Sequence, residues 1–196
     1  MRGDLQLIQD WIAPGSRVLD LGCGDGAFLA HLKATRNIQE LGLEIDAENI
    51  LQCLRAGVNV IEQNMDLGLQ NLESGSFDTV VLAHTLQALH RPDLIVEEML
   101  RVGKNCILTF PNFAYWRHRL ALLTDGRMPK SPQLPYEWYD TPNLHHCTIS
   151  DFDELCRRKH IKVLSRTVVD DGHHSSPLIR LSPNFFGINA IYHITR

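Results

Sequence analysis

The chain has 196 residues, is 44% hydrophobic and carries a formal net charge of −4, a size and balance that suit one globular domain, residues 1–196. No apolar run reaches the roughly 18 residues of a membrane span and Met1-Arg2-Gly3-Asp4 opens no signal-peptide core, so a cytoplasmic protein with no membrane partner is expected. The slight acidity lacks a basic stripe and points away from nucleic acid, while five cysteines with no C-x-x-C pair indicate reduced thiols rather than disulfides or a metal site.

The first strong signal is Val18-Leu19-Asp20-Leu21-Gly22-Cys23-Gly24-Asp25-Gly26-Ala27-Phe28-Leu29, an apolar strand running through an acid and three alternating glycines into a helix. That is how a nucleotide-type cofactor site opens in a doubly wound sheet. The dinucleotide fingerprint is G-x-G-x-x-G with a pyrophosphate on the helix N-terminus; here the third glycine comes one residue early. No Lys-Ser or Lys-Thr pair follows, which excludes a P-loop. The spacing is that of S-adenosylmethionine sites. That ligand carries a sulfonium and an ammonium but no phosphate, so it needs close backbone approach rather than an anion cradle. Asp20 and Asp25 would repel a pyrophosphate and attract a cation. Asp20, Gly22, Cys23, Gly24 and Gly26 are the cofactor-contacting candidates of this loop, for S-adenosylmethionine or its demethylated product S-adenosylhomocysteine.

Ile38 to Asp46 reads as a second strand ending in carboxylates. An acid about 20 residues past the glycines sits at the tip of that strand and accepts from the ribose hydroxyls, which selects Glu44. Asp46 either shares that role or caps a helix at Ala47–Leu54. After the strand-like Val58–Ile61, Met65 and Asp66 fall where adenine would be covered and its amine accepted; alternatively Asp66 starts a turn.

Ser76–Ala83 reads as a buried fourth strand beside the first. A helix follows from Pro92 through Val102, stopped by Gly103, and a fifth strand spans Asn105–Phe110. The alternation predicts an α/β fold with a mostly parallel sheet of six to seven strands. Pro111 to Cys147, rich in prolines and aromatics, reads as a long loop leaving the carboxyl end of a strand: a lid or docking segment, or aromatics packed as private core. Ser150–Leu155 opens a closing helix with Ser150 as its cap, and Ile161–Val169 and Ile188–Ile194 pair as a final antiparallel couple. His173 and His174, in an exposed stretch between them, resemble a metal site only superficially.

Methyl transfer needs positioning of an acceptor and sometimes a base. His84 and His90 flank the mouth of the predicted cleft and either is a candidate base or a structural group; His84 is the better placed. Asn112, Tyr115, Trp116 and Arg117 open the long segment, where they orient an acceptor or dock a protein. Neither an Asn-Pro-Pro-Tyr motif nor a Pro-Cys nucleophile is present.

The glycine block, Phe110-Pro111-Asn112-Phe113-Ala114-Tyr115-Trp116-Arg117 and Leu134-Pro135-Tyr136-Glu137-Trp138-Tyr139-Asp140-Thr141-Pro142-Asn143 together resemble the MetW family of methionine biosynthesis proteins, over nearly the whole chain. The resemblance implies a class I methyltransferase-like, Rossmann-like fold and a partnership with homoserine O-acyltransferase, also called MetX, whose activity such proteins support. Two readings stand. One is a partner subunit with S-adenosylmethionine as a regulatory ligand and the aromatic segment as docking surface; the other is a methyltransferase acting on an unidentified small molecule.

Overall fold

The computed structural model describes residues 3–132 and 134–196; Met1, Arg2 and Gln133 lie outside them, and with the first two part of the stretch read for a leader. Helix α1 (Gly3–Ile8) and a 3-10 turn lead into β1 (Arg17–Leu21), α2 (Ala27–Arg36), β2 (Gln39–Glu44), α3 (Ala47–Arg55) and β3 (Val60–Glu62). Then come β4 (Phe77–Ala83), α4 (Pro92–Val102), β5 (Gly103–Pro111), α5 (Trp116–Asp125) and α6 (Ile149–Arg158). The chain closes with β6 (Lys162–Val169), α7 (Pro177–Leu181), α8 (Pro183–Phe186) and β7 (Asn189–Thr195). The strands form one seven-stranded sheet in the order β3-β2-β1-β4-β5-β7-β6. Neighbours among β1 to β5 pair in parallel, and β7 is antiparallel to both β5 and β6.

Both faces of the sheet are covered, which is why its central strands read as almost continuous apolar runs. Successive side chains point to opposite faces. Leu19, Leu21, Val80, Leu82, Cys106, Leu108 and Phe110 therefore enter one core with α4 and α6, while Val18, Val81 and Ile107 enter the other with α1 and α2. Helix ends follow local chemistry. Asp46 caps α3, its carboxylate accepting from Asn49 N–H at 2.9 Å, and Pro92 occupies the first turn of α4 with Gly103 at its end.

Three expectations need correction. The segment from 111 to 147 is not loop throughout, because α5 occupies ten residues of it. That helix carries weak signals: Tyr115 at its N-cap makes no side-chain capping bond, and its first turn holds no acid. The cap of α6 is Thr148, not Ser150; Thr148 and Asp151 form a reciprocal capping box two residues upstream of the expected start. Finally, the connection between β6 and β7 contains α7 and α8, each of five residues or fewer, too short to show a period.

The antiparallel insertion of β7 leaves β6 parallel to β5, so β1, β4, β5 and β6 end on the same edge of the sheet. The glycine loop, the segment after β5 and the α7–α8 connection all leave from that edge, where ligands lie in such sheets.

Candidate functional site

The loop leaving β1 is fixed by the strand beside it: the N–H groups of Gly22 and Cys23 both donate to Leu43 O, at 2.8 and 3.1 Å. Gly22 has φ +74°, and a Cβ there would sit 3.0 Å from Thr85 Oγ1 and 3.5 Å from Met65 Cε. Glycine is needed for conformation and for the close passage of the post-β4 loop. Gly24 also lies in the left-handed region, φ +57°, but a Cβ there would meet nothing within 4 Å. Its requirement is conformational, and it faces open space. Gly26 packs against α3, where a Cβ would be 2.8 Å from Cys53 Sγ.

Glu44 ends β2 and is only 8% exposed. Its carboxylate accepts three backbone N–H groups: Gly24 at 2.9 Å through Oε2, and Ile45 and Asp46 at 2.7 and 3.0 Å through Oε1. A buried carboxylate without donors would be costly, and these amides supply them. Glu44, expected at the ribose, also binds the glycine loop and keeps part of the Oε2 capacity, since an ionised carboxylate offers about four acceptor positions. Asp20 is buried in β1 just behind the loop. Cys23 turns its thiol back into the sheet, 3.7 Å from Cys53 Sγ. Burial, then the charge of Asp20, pushes the Cys23 thiol far above its ordinary range, so it is no nucleophile. Asp20, Asp25, Glu44 and Asp46 surround the loop, and its electrostatics favour a cation.

Met65 and Asp66 start a 3-10 turn, with Met65 packed against the core near Gly22. Asp66 is joined to His90 twice, accepting from the backbone N–H at 2.8 Å and pairing with the ring Nδ1 at 2.8 Å. Burial alone would raise its pKa, but the side-chain and backbone bonds from His90 outweigh that and hold the carboxyl below its ordinary value. His90, weighed as a base, clamps the turn after β3 through Asp66.

His84 follows β4 with φ +56°, uncommon for a residue with a side chain. Its N–H is held by Thr109, through the carbonyl at 3.0 Å and Oγ1 at 3.1 Å, while its carbonyl accepts from Gln87 Nε2 at 2.9 Å. His84 lines a cavity of about 390 Å³ with Gln87, Pro111, Tyr136, Pro142 and Asn143 among its walls. Thr85, Gln87 and Asn143 escape sequence reasoning. Gln87 is 8% exposed and its carbonyl holds Leu144 and His145, so it fastens the far end of the long segment over the site. Its one sequence signal is a polar residue between Leu86 and Ala88.

The long segment is part core, part surface. Phe113 stacks on His146 at 4.4 Å and His118 is 3% exposed, whereas Trp138 and Tyr139 are 74% and 70% exposed. Asn112 is structural: it is 1% exposed, donates to Asn184 O and Gly187 O, and accepts from Ala114 and Ile149 N–H. No cluster of three or more metal-ligating side chains occurs among the described residues, and no helix there is long and apolar enough to cross a membrane.

An acidic glycine loop after β1, an acid at the tip of β2 and this strand order define a class I methyltransferase-like fold. An S-adenosylmethionine dependent methyltransferase from Mesorhizobium loti shares it at TM-score 0.68 and 17% identity, over 97% of this chain and 96% of that one. So does the [4+2]-cyclase SpnF, at TM-score 0.68 and 16% identity, over 98% of this chain and 80% of that one. At such identities the likeness is one of fold, and the fold alone does not fix the reaction. The chain belongs to the family of methionine biosynthesis protein MetW, whose family model matches residues 2–194. The bifunctional methionine biosynthesis protein MetXA/MetW of Rhodopirellula baltica is 36% identical over 185 residues, covering 89% of this chain; the chain spans 30% of that protein.

Proposed function

We propose that this chain binds S-adenosylmethionine or S-adenosylhomocysteine and acts in methionine biosynthesis as a partner that raises the activity of homoserine O-acyltransferase. The observation that carries the partnership is the relative uniting MetXA and MetW in one polypeptide, 30% of which this chain spans. Fusion holds two units at high effective concentration, which matters where they work in contact. The whole chain, residues 1–196, then acts as one unit, and 111–147 belongs to its partner-facing side.

The ligand reading is supported by the donor set of the loop. Backbone at Gly22 and Gly24 allows close approach, Gly26 sets the helix against α3, and Cys23 contributes main chain rather than thiol. Asp20 and the remaining capacity of Glu44 favour a cation and ribose hydroxyls, while Met65 covers and Asp66 borders the adenine end. Bound there, S-adenosylmethionine supplies an electrophilic methyl group. A second reading, methyl transfer to an uncharged small molecule, is favoured by the cavity beside His84, which no acid, lysine or arginine among the described residues lines. His84 would then hold the acceptor proton.

The deciding experiment is acyl-homoserine formation by the acyltransferase of the same organism, with and without this protein, at zero and saturating S-adenosylmethionine. A rise of about tenfold or more is expected, equivalent to about 1.4 kcal/mol. An unchanged rate at both ligand levels overturns the partner reading.

A further inference from the structure

The turn after β3 and helix α4 enclose a cavity of about 570 Å³, within the range of small-molecule sites, roughly 300 to 1,000 Å³. Asp20, Gly22, Gly24 and Glu44 are not among the described residues that line it, so it opens apart from the space beside the glycine loop. Its charged walls are already committed. Arg101 uses all five of its N–H donors inside the chain: Nε and Nη2 donate to the Glu98 carboxylate at 2.7 Å each, Nη2 also to Leu69 O, and Nη1 to Leu72 O and Ser74 Oγ. Arg91 donates twice to Asp93 at 2.9 Å, Lys159 donates to Glu97 at 2.7 Å, and Asp66 is paired with His90. A charged ligand would compete at each of these with a partner in place, and a phosphate would find no free guanidinium fork.

The uncommitted lining is apolar: buried Ile95, half-buried Met65, and Leu67 and Leu94, 75% and 44% exposed. The Gln70 carboxamide stands beside them as donor and acceptor. Met65 belongs to both spaces. It lines the cavity, and its Cε lies 3.5 Å from where a Gly22 Cβ would sit. An unbranched, adaptable side chain in that place passes a change on one side to the other.

We propose that this cavity is a second ligand site, taking an uncharged, mainly apolar small molecule that carries a hydrogen-bonding group, and that Met65 couples its occupancy to the glycine loop. The site stands on its own lining; the coupling rests on the cofactor reading above. Linkage makes the effect reciprocal: the factor by which the molecule changes S-adenosylhomocysteine affinity is the factor by which S-adenosylhomocysteine changes its own.

The test uses indole, an uncharged ring with one N–H, and indole-2-carboxylate, the same ring with a charge, on chain labelled at its methionine methyl groups. There are four methionines, and Met65→Ala identifies the Met65 signal. Indole is expected to shift Met65 saturably and to leave Met128 in place. Indole-2-carboxylate on the wild type, and indole on Leu67→Asp/Leu94→Asp, are each expected to bind about tenfold more weakly. Both leucines are exposed, so the melting midpoint of the double variant stays that of the wild type. Calorimetry then gives S-adenosylhomocysteine affinity with and without saturating indole, and a change of about fivefold or more is expected that Met65→Ala abolishes. An unmoved Met65, or equal indole affinity in the double variant, overturns the site. Mutual exclusion of indole and S-adenosylhomocysteine makes the cavity part of the cofactor's own seat and overturns a second site. Equal S-adenosylhomocysteine affinity at both indole levels overturns the coupling. If S-adenosylhomocysteine does not bind while indole shifts Met65, the cofactor reading falls, the coupling falls with it, and the site stands.

Discussion

At the scale of single residues, Glu44 and Gly24 form one device. The carboxylate at the end of β2 reaches across to the amide of the glycine loop and sets the loop's shape. Gly24 is the sharper probe because its Cβ position is open, so a larger side chain there fills the space beside the loop without striking protein. Gly24→Val should abolish S-adenosylmethionine binding in calorimetry and lower stability by about 1 to 2 kcal/mol through its left-handed φ. Wild-type affinity in that variant would show that the loop is not the cradle. Asn112 gives the complementary lesson. By sequence it orients an acceptor or docks a protein, yet its amide is used in holding β5, α6 and α8 together.

At the scale of elements, α6 depends on its capping box. Thr148→Ala removes the side-chain acceptor for Asp151 N–H and should cost about 1 kcal/mol, read as a lower denaturant midpoint with unchanged slope. A neutral result would show that packing of Ile149, Phe152 and Cys156 alone sets that end. The strands and the helices between β1 and β5 were legible because apolar periodicity, Pro92, Gly103 and Asp46 all agree with the final structure. Helix α5 was not, because its start has no cap and its aromatics resemble loop composition. The glycine loop was legible because its chemistry is local. The cavity beside His84 was not, since its walls come from the post-β4 turn and from residues 111–143, brought together by folding.

At the scale of the molecule, acid acts in two stages with one sign. Burial holds His118, His146 and His193 below the ordinary histidine value. Below about pH 6.5 the unfolded chain takes up protons that the folded chain refuses, so stability declines as pH falls through that range. Asp78, Asp93 and Glu98 are held below the ordinary carboxylate range by bonds from Lys104, Arg91 and Arg101 respectively, so a second loss begins below about pH 4. Melting midpoints measured from pH 8 to pH 3 should fall in both windows; a midpoint that rises between pH 7 and pH 5 would contradict the first.

The place of β7 has a consequence for how the chain is made. The strand that joins β5 to β6 is the last one in the sequence. During synthesis β6 emerges before its partner β7, and it has no strand to pair with until β7 follows. Nascent chains therefore carry an open β5 edge and a detached β6 until β7 has been made, a window in which a chaperone would meet them first.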